Sequence, residues 1–390
     1  MQNGAQPEKQ KTFAEFFAGI GLMRIGLEAE GWKISLANDI DPEKQEIYRA
    51  NFSDADEHFW LGDIHEIPSS EVPTVTLATA SFPCNDLSLA GARNGLSGKH
   101  SSAFWGFIEI LEKMRHRRPS LVLLENVTGF LTSHDGKDFE DAMLALNLLG
   151  YSVDPFVLNA AWFVPQSRQR LFVVGIKEKK TEAEPMNEKF FESDVRPEAL
   201  VDFIFSHPDI RWKIRRLPPA PRTRKKLENI LEELPHDSQE WWNCERAKYL
   251  LNQMSTRHRG IAETMILGKT SSYGTVFRRI RNGKSMAELR TDGIAGCLRT
   301  PRGGSGRQIL FKAGKGKYFA RLLTPRECAR LMGAEDFKIT VPLNQALFGF
   351  GDAVCVPVIR WIAKYYLNPA FEEIPKSQMR LQYNETSAHY

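Results

Sequence analysis

Cysteine is scarce and scattered in this chain: five residues, Cys84, Cys244, Cys297, Cys328 and Cys355, with no CxxC pair and no Cys/His cluster. An odd count at such spacing argues against a disulfide frame, and the missing clusters exclude the usual zinc signatures. Long apolar runs are also missing. None approaches the roughly 20 residues that span a bilayer, and the N-terminus is polar with no signal-peptide core. Excess charge of one sign is absent, since 52 Lys and Arg against 48 Asp and Glu leave only +4. No internal repeat or low-complexity tract interrupts the chain. The expectation is a cytoplasmic, reduced protein with no structural metal and no membrane segment.

At 390 residues the chain exceeds the roughly 250–300 at which single cores stop growing, so two domains are expected. Net charge says little, but its distribution says more. Arg211, Lys213, Arg215, Arg216, Arg222, Arg224, Lys225 and Lys226 follow one another with no acid among them. Arg278, Arg279, Arg281, Lys284, Arg299, Arg302 and Arg307 form a second basic stretch. Such runs are ordinarily solvated surface. Two in one segment point to a polyanionic partner.

The chain opens as a strand, Lys11 to Phe17, running into Phe17-Ala18-Gly19-Ile20-Gly21 and then a helical face of Leu22, Ile25, Leu27 and Ala29. Strand, glycine turn and helix begin a nucleotide-binding βαβ unit, in which glycines let backbone approach a ligand. A second strand, Lys33 to Ala37, leads to Asp39, about 18 residues past Gly21. That is near the ~20-residue spacing at which an acid meets ribose hydroxyls, with a helix N-cap as the lesser reading of Asp39. Arg24 stands where a dinucleotide fingerprint has glycine, which argues against a pyrophosphate. An adenosine ligand without phosphates, such as S-adenosylmethionine, fits better. Asp63, in Leu61-Gly62-Asp63-Ile64, ends a third strand and reads as an adenine-amino acceptor or a turn residue.

An apolar stretch, Val72 to Ala78, reads as a buried strand that delivers Ser81-Phe82-Pro83-Cys84-Asn85 at its end. A free Cys is ordinarily a small buried apolar residue. Here Pro83 stiffens the backbone before it, at the strand end where open α/β sheets bind ligands. The glycine-rich Ser88–Gly98 segment reads as a lid. The strand Ser120 to Leu124 ends abruptly in Glu125-Asn126, a carboxylate that is costly to leave there without partners. Arg168 and Arg170, at alternate positions before Leu171–Gly175, are expected on one strand face, seeking an anion. From 177 to 197 the chain turns charged and aperiodic, a domain boundary. Beyond it lie Trp241-Trp242 and the loop Thr300-Pro301-Arg302-Gly303-Gly304-Ser305-Gly306-Arg307, suited to a phosphate backbone. Thr324-Pro325-Arg326-Glu327 is a capping box with proline at the first helical position. Gly351-Asp352-Ala353-Val354 then precedes an apolar helix, Val356 to Tyr366.

Taken in order, these pieces resemble the DNA cytosine-5 methyltransferases of bacterial restriction–modification type. The resemblance rests on Phe17–Gly21, Asp39, Gly62–Ile64, Pro83-Cys84, Glu125–Val127, Gln166–Arg170, the Arg321–Gly333 helix and Gly351–Val354. It implies a doubly wound α/β fold, a Rossmann-like S-adenosylmethionine-dependent methyltransferase domain with a smaller target-recognition domain. The expected division is 1–184 for catalysis and cofactor, 185–320 for target recognition, and 321–390 packing back on the catalytic domain.

By the resemblance, Cys84 adds to C6 of a flipped-out cytosine, and the activated C5 takes its methyl group from S-adenosyl-L-methionine. Glu125 holds N3 and the exocyclic amine, Arg170 holds O2, Arg168 braces the site or a phosphate, and Asn126 supports the Cys84 loop. The implied cofactor cleft comprises Phe17, Gly19, Ile20, Gly21, Asp39, Ile40, Asp63, Ile64, Pro83, Asp352, Ala353 and Val354. Ser88, Arg93, Arg278, Arg279, Arg302, Gly303, Gly304 and Arg307 are the expected contacts to double-stranded DNA. The implied setting is a bacterial monomer protecting host DNA from a cognate restriction endonuclease that it need not touch. Departures from the family pattern are Leu22 for a third glycine, Asn85 for Gln, Leu87 for Phe, and Asp352 for Asn. Two alternatives stand beside this reading: a tRNA cytosine-5 methyltransferase, and a catalytically silent DNA-binding regulator.

Overall fold

The computed structural model describes residues 10–83, 103–178, 191, 193–235, 237–281, 283–300 and 306–375. The chain forms two compact units. The first takes residues up to Leu158, Gln169–Ala220 and Ile359 onward; the second takes Asn159–Arg168 and Pro221–Val358.

The first unit is built on β1 (Thr12–Phe16), α1 (Leu22–Glu28), β2 (Lys33–Asp39), α2 (Pro42–Asn51), β3 (Phe59–Leu61), β4 (Leu77–Ala80), α3 (Ala103–Met114), β5 (Leu121–Asn126), α4 (Lys137–Leu148), β6 (Tyr151–Asn159), β7 (Gln169–Lys177) and α5 (Glu198–Ser206). Its seven strands lie in the order β3-β2-β1-β4-β5-β7-β6. The first five are mutually parallel, whereas β7 runs antiparallel to β5. Successive residues point to opposite faces, and both sets are buried: Phe13 and Ala14, Leu77 and Ala78, Leu121 and Val122 are all 0–1% exposed. That is why these strands read as unbroken apolar runs rather than as alternation. One face, with Ala14, Phe16, Ala78, Ala80, Val122 and Leu124, shares a core with the apolar stripes of α3, α4 and α5.

The doubly wound class agrees with the sequence expectation, and two details differ. The strand expected over Val72–Ala78 begins only at Leu77, because Pro73 supplies no ladder N–H. The compact units also fall elsewhere than the expected boundaries. Residues 193–220 belong with the first unit: Arg196 pairs with Asp154 at 2.8 Å, and Lys213 pairs with Glu178. The first basic run is thus partly spent inside this unit. Residues 321–358 belong to the second unit, and only from Ile359 does the chain rejoin the first. There Arg360 meets Glu30 at 2.7 Å, and Trp32 donates to Asn368 at 2.9 Å.

The second unit contains α6 (Cys244–Asn252), α7 (Thr256–Leu267) and an antiparallel sheet of β8 (Ser272–Arg281), β9 (Lys284–Arg290), β10 (Ile309–Gly314) and β11 (Lys317–Leu322), in the order β11-β10-β8-β9. Val276, Ala287, Ile309, Phe311 and Ala320 line one face and form a core with Ala247, Leu250 and Ala262 of the two helices. Then follow α8 (Pro325–Leu331), α9 (Leu343–Asp352), α10 (Val356–Ile362), and, after a π-helical turn, α11 (Asn368–Glu373). The capping box at α8 forms as expected, and Glu327 does more than cap. It is fully buried, takes both Arg321 nitrogens, and accepts from the Glu232 backbone at 2.9 Å. The stretch Leu343–Glu373 has the composition of a membrane span, but 72% of its apolar window is buried in the fold.

Candidate active site

Parallel pairing aligns the carboxyl ends of β1, β2, β4 and β5, and the order reverses direction between β1 and β4, where open α/β sheets place ligands. Phe17, Gly19, Ile20, Gly21, Asp39, Ile40, Pro83, Glu125 and Asn126 lie at or just beyond such an end, Asp63 and Ile64 follow β3, and Arg170 stands apart. Arg170 begins β7, and because β7 runs antiparallel to β5 its start lies beside the β5 end, with Asn126 opposite Leu171 and Glu125 opposite Phe172. The diagonal neighbours Glu125 and Arg170 therefore share a face. Arg170 Nε donates to Glu125 Oε1 at 2.9 Å, and its Nη1 donates to the Gln169 carbonyl at 2.8 Å. Glu125 is 6% exposed, and the Arg170 guanidinium directs its carboxylate.

Asn126 faces the neighbouring loop. Its Nδ2 donates to the Phe82 carbonyl at 3.1 Å, while its Oδ1 accepts from Val127 N at 2.8 Å. Phe82 is further wedged between Phe104 and Phe130, with ring centroids 5.2 and 5.6 Å away. The backbone that leads to Pro83 is thus held by the Asn126 hydrogen bond, a tilted contact with Phe104 and an edge contact with Phe130. Cys84 itself lies outside the described residues, as do Asn85, Leu87, Ser88, Arg93 and the expected lid. Among the described cysteines, burial pushes the Cys355 thiol up to about 12 and holds Cys328 above its ordinary range. Such thiols are poor nucleophiles.

The glycine turn after β1 is held in left-handed backbone at Phe17 (φ 60°), Gly19 (φ 56°) and Gly21 (φ 85°). Phe17 is the costly member, since a non-glycine there stores strain. Gly21 must be glycine for a second reason: a Cβ would fall 2.4 Å from the Phe52 ring and 2.9 Å from Tyr48. Leu22, which stands in for a third glycine, opens α1 and is buried in the core.

Asp39 clasps this turn. Its two carboxylate oxygens accept from Gly19 N at 2.8 Å and Asp41 N at 3.0 Å. The helix cap that Asp39 offered in the sequence reading is supplied instead by Asp41, which accepts from Glu43 N and Lys44 N. Burial raises the Asp39 carboxyl above its ordinary value, against the pull of Lys44 and the two backbone donors. Ile40 beside it is 65% exposed, an apolar side chain standing in the open. Asp63 caps the short turn Ile64–Glu66 by accepting from His65 N at 3.0 Å, and Ile64 is buried beneath it.

Arg24 and Glu15 are buried charged residues that the sequence reading passed over or used only to exclude a dinucleotide. Arg24 is 5% exposed, lies 4.1 Å over the Phe52 ring, and binds Asp54 with both oxygens and Glu28 at 2.8 Å. Glu15, inside β1, is 3% exposed with its Oε2 unpartnered, and burial raises its carboxyl well above the usual range. An acid inside an otherwise apolar strand was the available signal.

Arg168 does not share a strand face with Arg170. It precedes β7, is 3% exposed, and turns inside the second unit. Its Nη1 and Nη2 donate to the carbonyls of Leu298 (2.8 Å), Gly351 (3.2 Å) and Ala353 (2.7 Å). Those nitrogens are committed to backbone, so the phosphate contact considered for Arg168 is replaced by an internal clasp. Gln166, fully buried, assists: it donates to the Leu331 carbonyl at 2.8 Å and accepts from Leu298 N at 3.0 Å. Asp352 accepts from the Thr300 hydroxyl, so this departure from the family pattern has a donor within the same unit. Gly351 approaches the 299–300 backbone so closely that a Cβ would lie 2.5 Å from Thr300 N. Thus 351–354 are anchored in the second unit.

Of the expected DNA contacts, Arg279 shares Glu288 with Arg281, at 3.3 and 2.8 Å. Arg278 points to the other face of β8, and Arg307 donates to Asn344 at 2.7 Å. Arg302, Gly303 and Gly304 lie outside the described residues.

Comparison with known proteins accords with this geometry. The family model described as C-5 cytosine-specific DNA methylase matches residues 11–368. The chain is 29% identical over 367 residues to the Type II methyltransferase M.DsaV of Dactylococcopsis salina, covering 93% of this chain and 87% of that protein. It is 28% identical to the Type II methyltransferase M.HhaI of Haemophilus parahaemolyticus, covering 91% and 95%. In fold it is similar to the S. pombe Dnmt2 methyltransferase, with a TM-score of 0.60 at 18% identity over 93% of this chain and 99% of that one. A strand-end carboxylate clasped by an arginine, a glycine turn clasped by an aspartate, and a match over nearly the whole length converge on one conclusion: the chain belongs to the C-5 cytosine-specific DNA methylase family.

Proposed function

We propose that this enzyme methylates C5 of a specific cytosine in duplex DNA through a covalent adduct on Cys84, and that it protects host DNA from a cognate restriction endonuclease. The observation that carries the reading is the β5 end, where Glu125 is clasped by Arg170 while Asn126 of the same strand holds the Phe82 carbonyl, two residues ahead of Cys84. One short strand end thus governs both an acid and the approach to a thiol. Cys84 adds to C6, which turns C5 into a nucleophile. Glu125 holds N3 and the exocyclic amine as addition proceeds, and Arg170 keeps that carboxylate directed and meets O2. After transfer, loss of the C5 proton and β-elimination free Cys84. C6 is shielded by stacking in a duplex, so the target base must leave the helix at a cost of a few kcal/mol.

The residues at the β1, β2 and β3 ends suit S-adenosyl-L-methionine. Asp39 and Asp63 retain lone pairs for ribose and adenine, Ile40 offers an exposed apolar surface to a base, and the donor set contains acids rather than the cations a pyrophosphate would need. When bound, that cofactor supplies an electrophilic methyl group. By the family resemblance, Asp352, Ala353 and Val354 also belong to the proposed cofactor-binding set. On the same reading the enzyme acts as a monomer in the bacterial cytoplasm.

Methyl transfer to duplex DNA and to tRNA, measured side by side with labelled cofactor, tests the substrate; transfer to tRNA alone would overturn the reading. Duplex DNA carrying 5-fluorocytosine cannot lose its C5 substituent and should trap the native enzyme but not Cys84→Ala. Equal trapping of both would exclude the covalent route.

A further inference from the structure

Three cations of the second unit meet with no anion among the described residues. The antiparallel register of β8 and β10 pairs Val276 with Ile309. Continued two residues past the end of that ladder, the same register sets Arg278 opposite Arg307. Both then lie on the face whose Val276 and Ile309 pack with Ala247 and Leu250 of α6. Arg246, in the first turn of that same helix, closes the third side. Its guanidinium lies flat on Trp242, 4.0 Å from the ring centroid.

None of the three has a carboxylate partner among the described residues. Arg246 and Arg278 donate no side-chain hydrogen bond among the described residues, and Arg307 reaches only the neutral Asn344, leaving its Nε buried without a partner. Arg279 and Arg281, on the opposite face of the same strand, contrast with them by sharing Glu288. Burial, and then the positive charges of Arg278 and Arg307, depress the Arg246 guanidinium below its ordinary value. Glu245, next to Arg246 in the first turn of α6, is exposed and makes no ion pair with these arginines.

A cluster of like charges raises the free energy of the free protein and lowers it again when an anion arrives. An arginine stacked on an indole keeps its N–H edge free, and a guanidinium edge matches two oxygens of a phosphate. The cluster also stands beside the N-terminus of α6, whose partial positive charge favours the same ligand.

We propose that Arg246, Arg278 and Arg307 form one phosphodiester-binding site that holds the backbone of duplex DNA without regard to sequence. This rests on the reading of the enzyme as one that acts on duplex DNA. Arg246 is the new member, assigned by its stacking on Trp242 and by the strand register.

The test is fluorescence anisotropy of full-length enzyme on labelled duplexes of several sequences, titrated over a range of KCl. Arg246→Gln and Arg278→Gln should each weaken binding by the same factor on every duplex. Each should also flatten the slope of log affinity against log salt by about 0.9, as expected for one lost phosphate contact. Arg246→Lys should restore the slope, and Arg281→Gln should leave it unchanged. Native affinity and slope in both Gln variants would overturn the site, as would a loss confined to one DNA sequence. A native enzyme that binds and methylates duplex DNA while the variants behave normally refutes the site alone. A native enzyme without affinity for duplex DNA refutes the site together with the function on which it rests.

Discussion

Arg168 and Arg170 stand two residues apart and serve opposite ends. Arg170, in the first unit, spends its charge on a carboxylate, Glu125, at a strand end. Arg168, in the second unit, spends its charge on carbonyl oxygens of Leu298, Gly351 and Ala353. The first region is aligned by a sheet: once β5 and β7 pair, Glu125 and Arg170 have little choice of direction. The second is aligned by hydrogen bonds between segments far apart in sequence, and one guanidinium does the work of a secondary-structure element. A charged group can thus prepare chemistry or replace backbone pairing, and its sequence neighbourhood does not say which.

The comparison is broken most severely at Glu125. Glu125→Gln removes the group that follows the base through protonation and should slow single-turnover methyl transfer by about 10²–10⁴-fold, with the urea midpoint little changed. A comparable loss of stability would make Glu125 a structural residue. Arg168→Met should do the reverse. Three buried carbonyls lose a charged donor, which costs roughly 3–4 kcal/mol in urea unfolding, and the loss should appear in the second unit's transition. Retained stability would show that water replaces the guanidinium.

Asn126→Ala should cost less, about 1–2 kcal/mol, by freeing the Phe82 carbonyl. It should also lower the yield of the 5-fluorocytosine adduct, since the approach to Cys84 loosens. A full adduct yield would separate the strand end from the thiol. The smallest effect is expected at Glu15. Burial raises its carboxyl, with Arg24 pulling the other way, so its protonated form is favoured by folding. The stability it contributes is therefore present below the unfolded value and lost as pH rises through the folded one. Glu15→Gln removes that titration. The stability of Glu15→Gln relative to the native enzyme should therefore increase as pH rises from the ordinary carboxylate range toward neutrality. A constant difference across that range would place the proton elsewhere.

By itself, the sequence determined the doubly wound class and the residues at its strand ends. Apolar runs ending abruptly in Gly21, Asp39, Asp63 and Glu125 are local signals, because a parallel strand buried on both faces carries few polar groups before its end, Glu15 being an exception. The α8 capping box was equally legible, since all its bonds lie within one turn. Tertiary structure alone decided the partners. That Asp41 rather than Asp39 caps α2 follows from Asp39 being drawn to Gly19, across the turn between two strands. The parting of Arg168 from Arg170 depends on a chain crossing between compact units, and the meeting of Arg246 with Arg278 and Arg307 depends on a β-register. Periodicity describes which way a side chain points from its own element, but only long-range pairing determines what stands there to meet it.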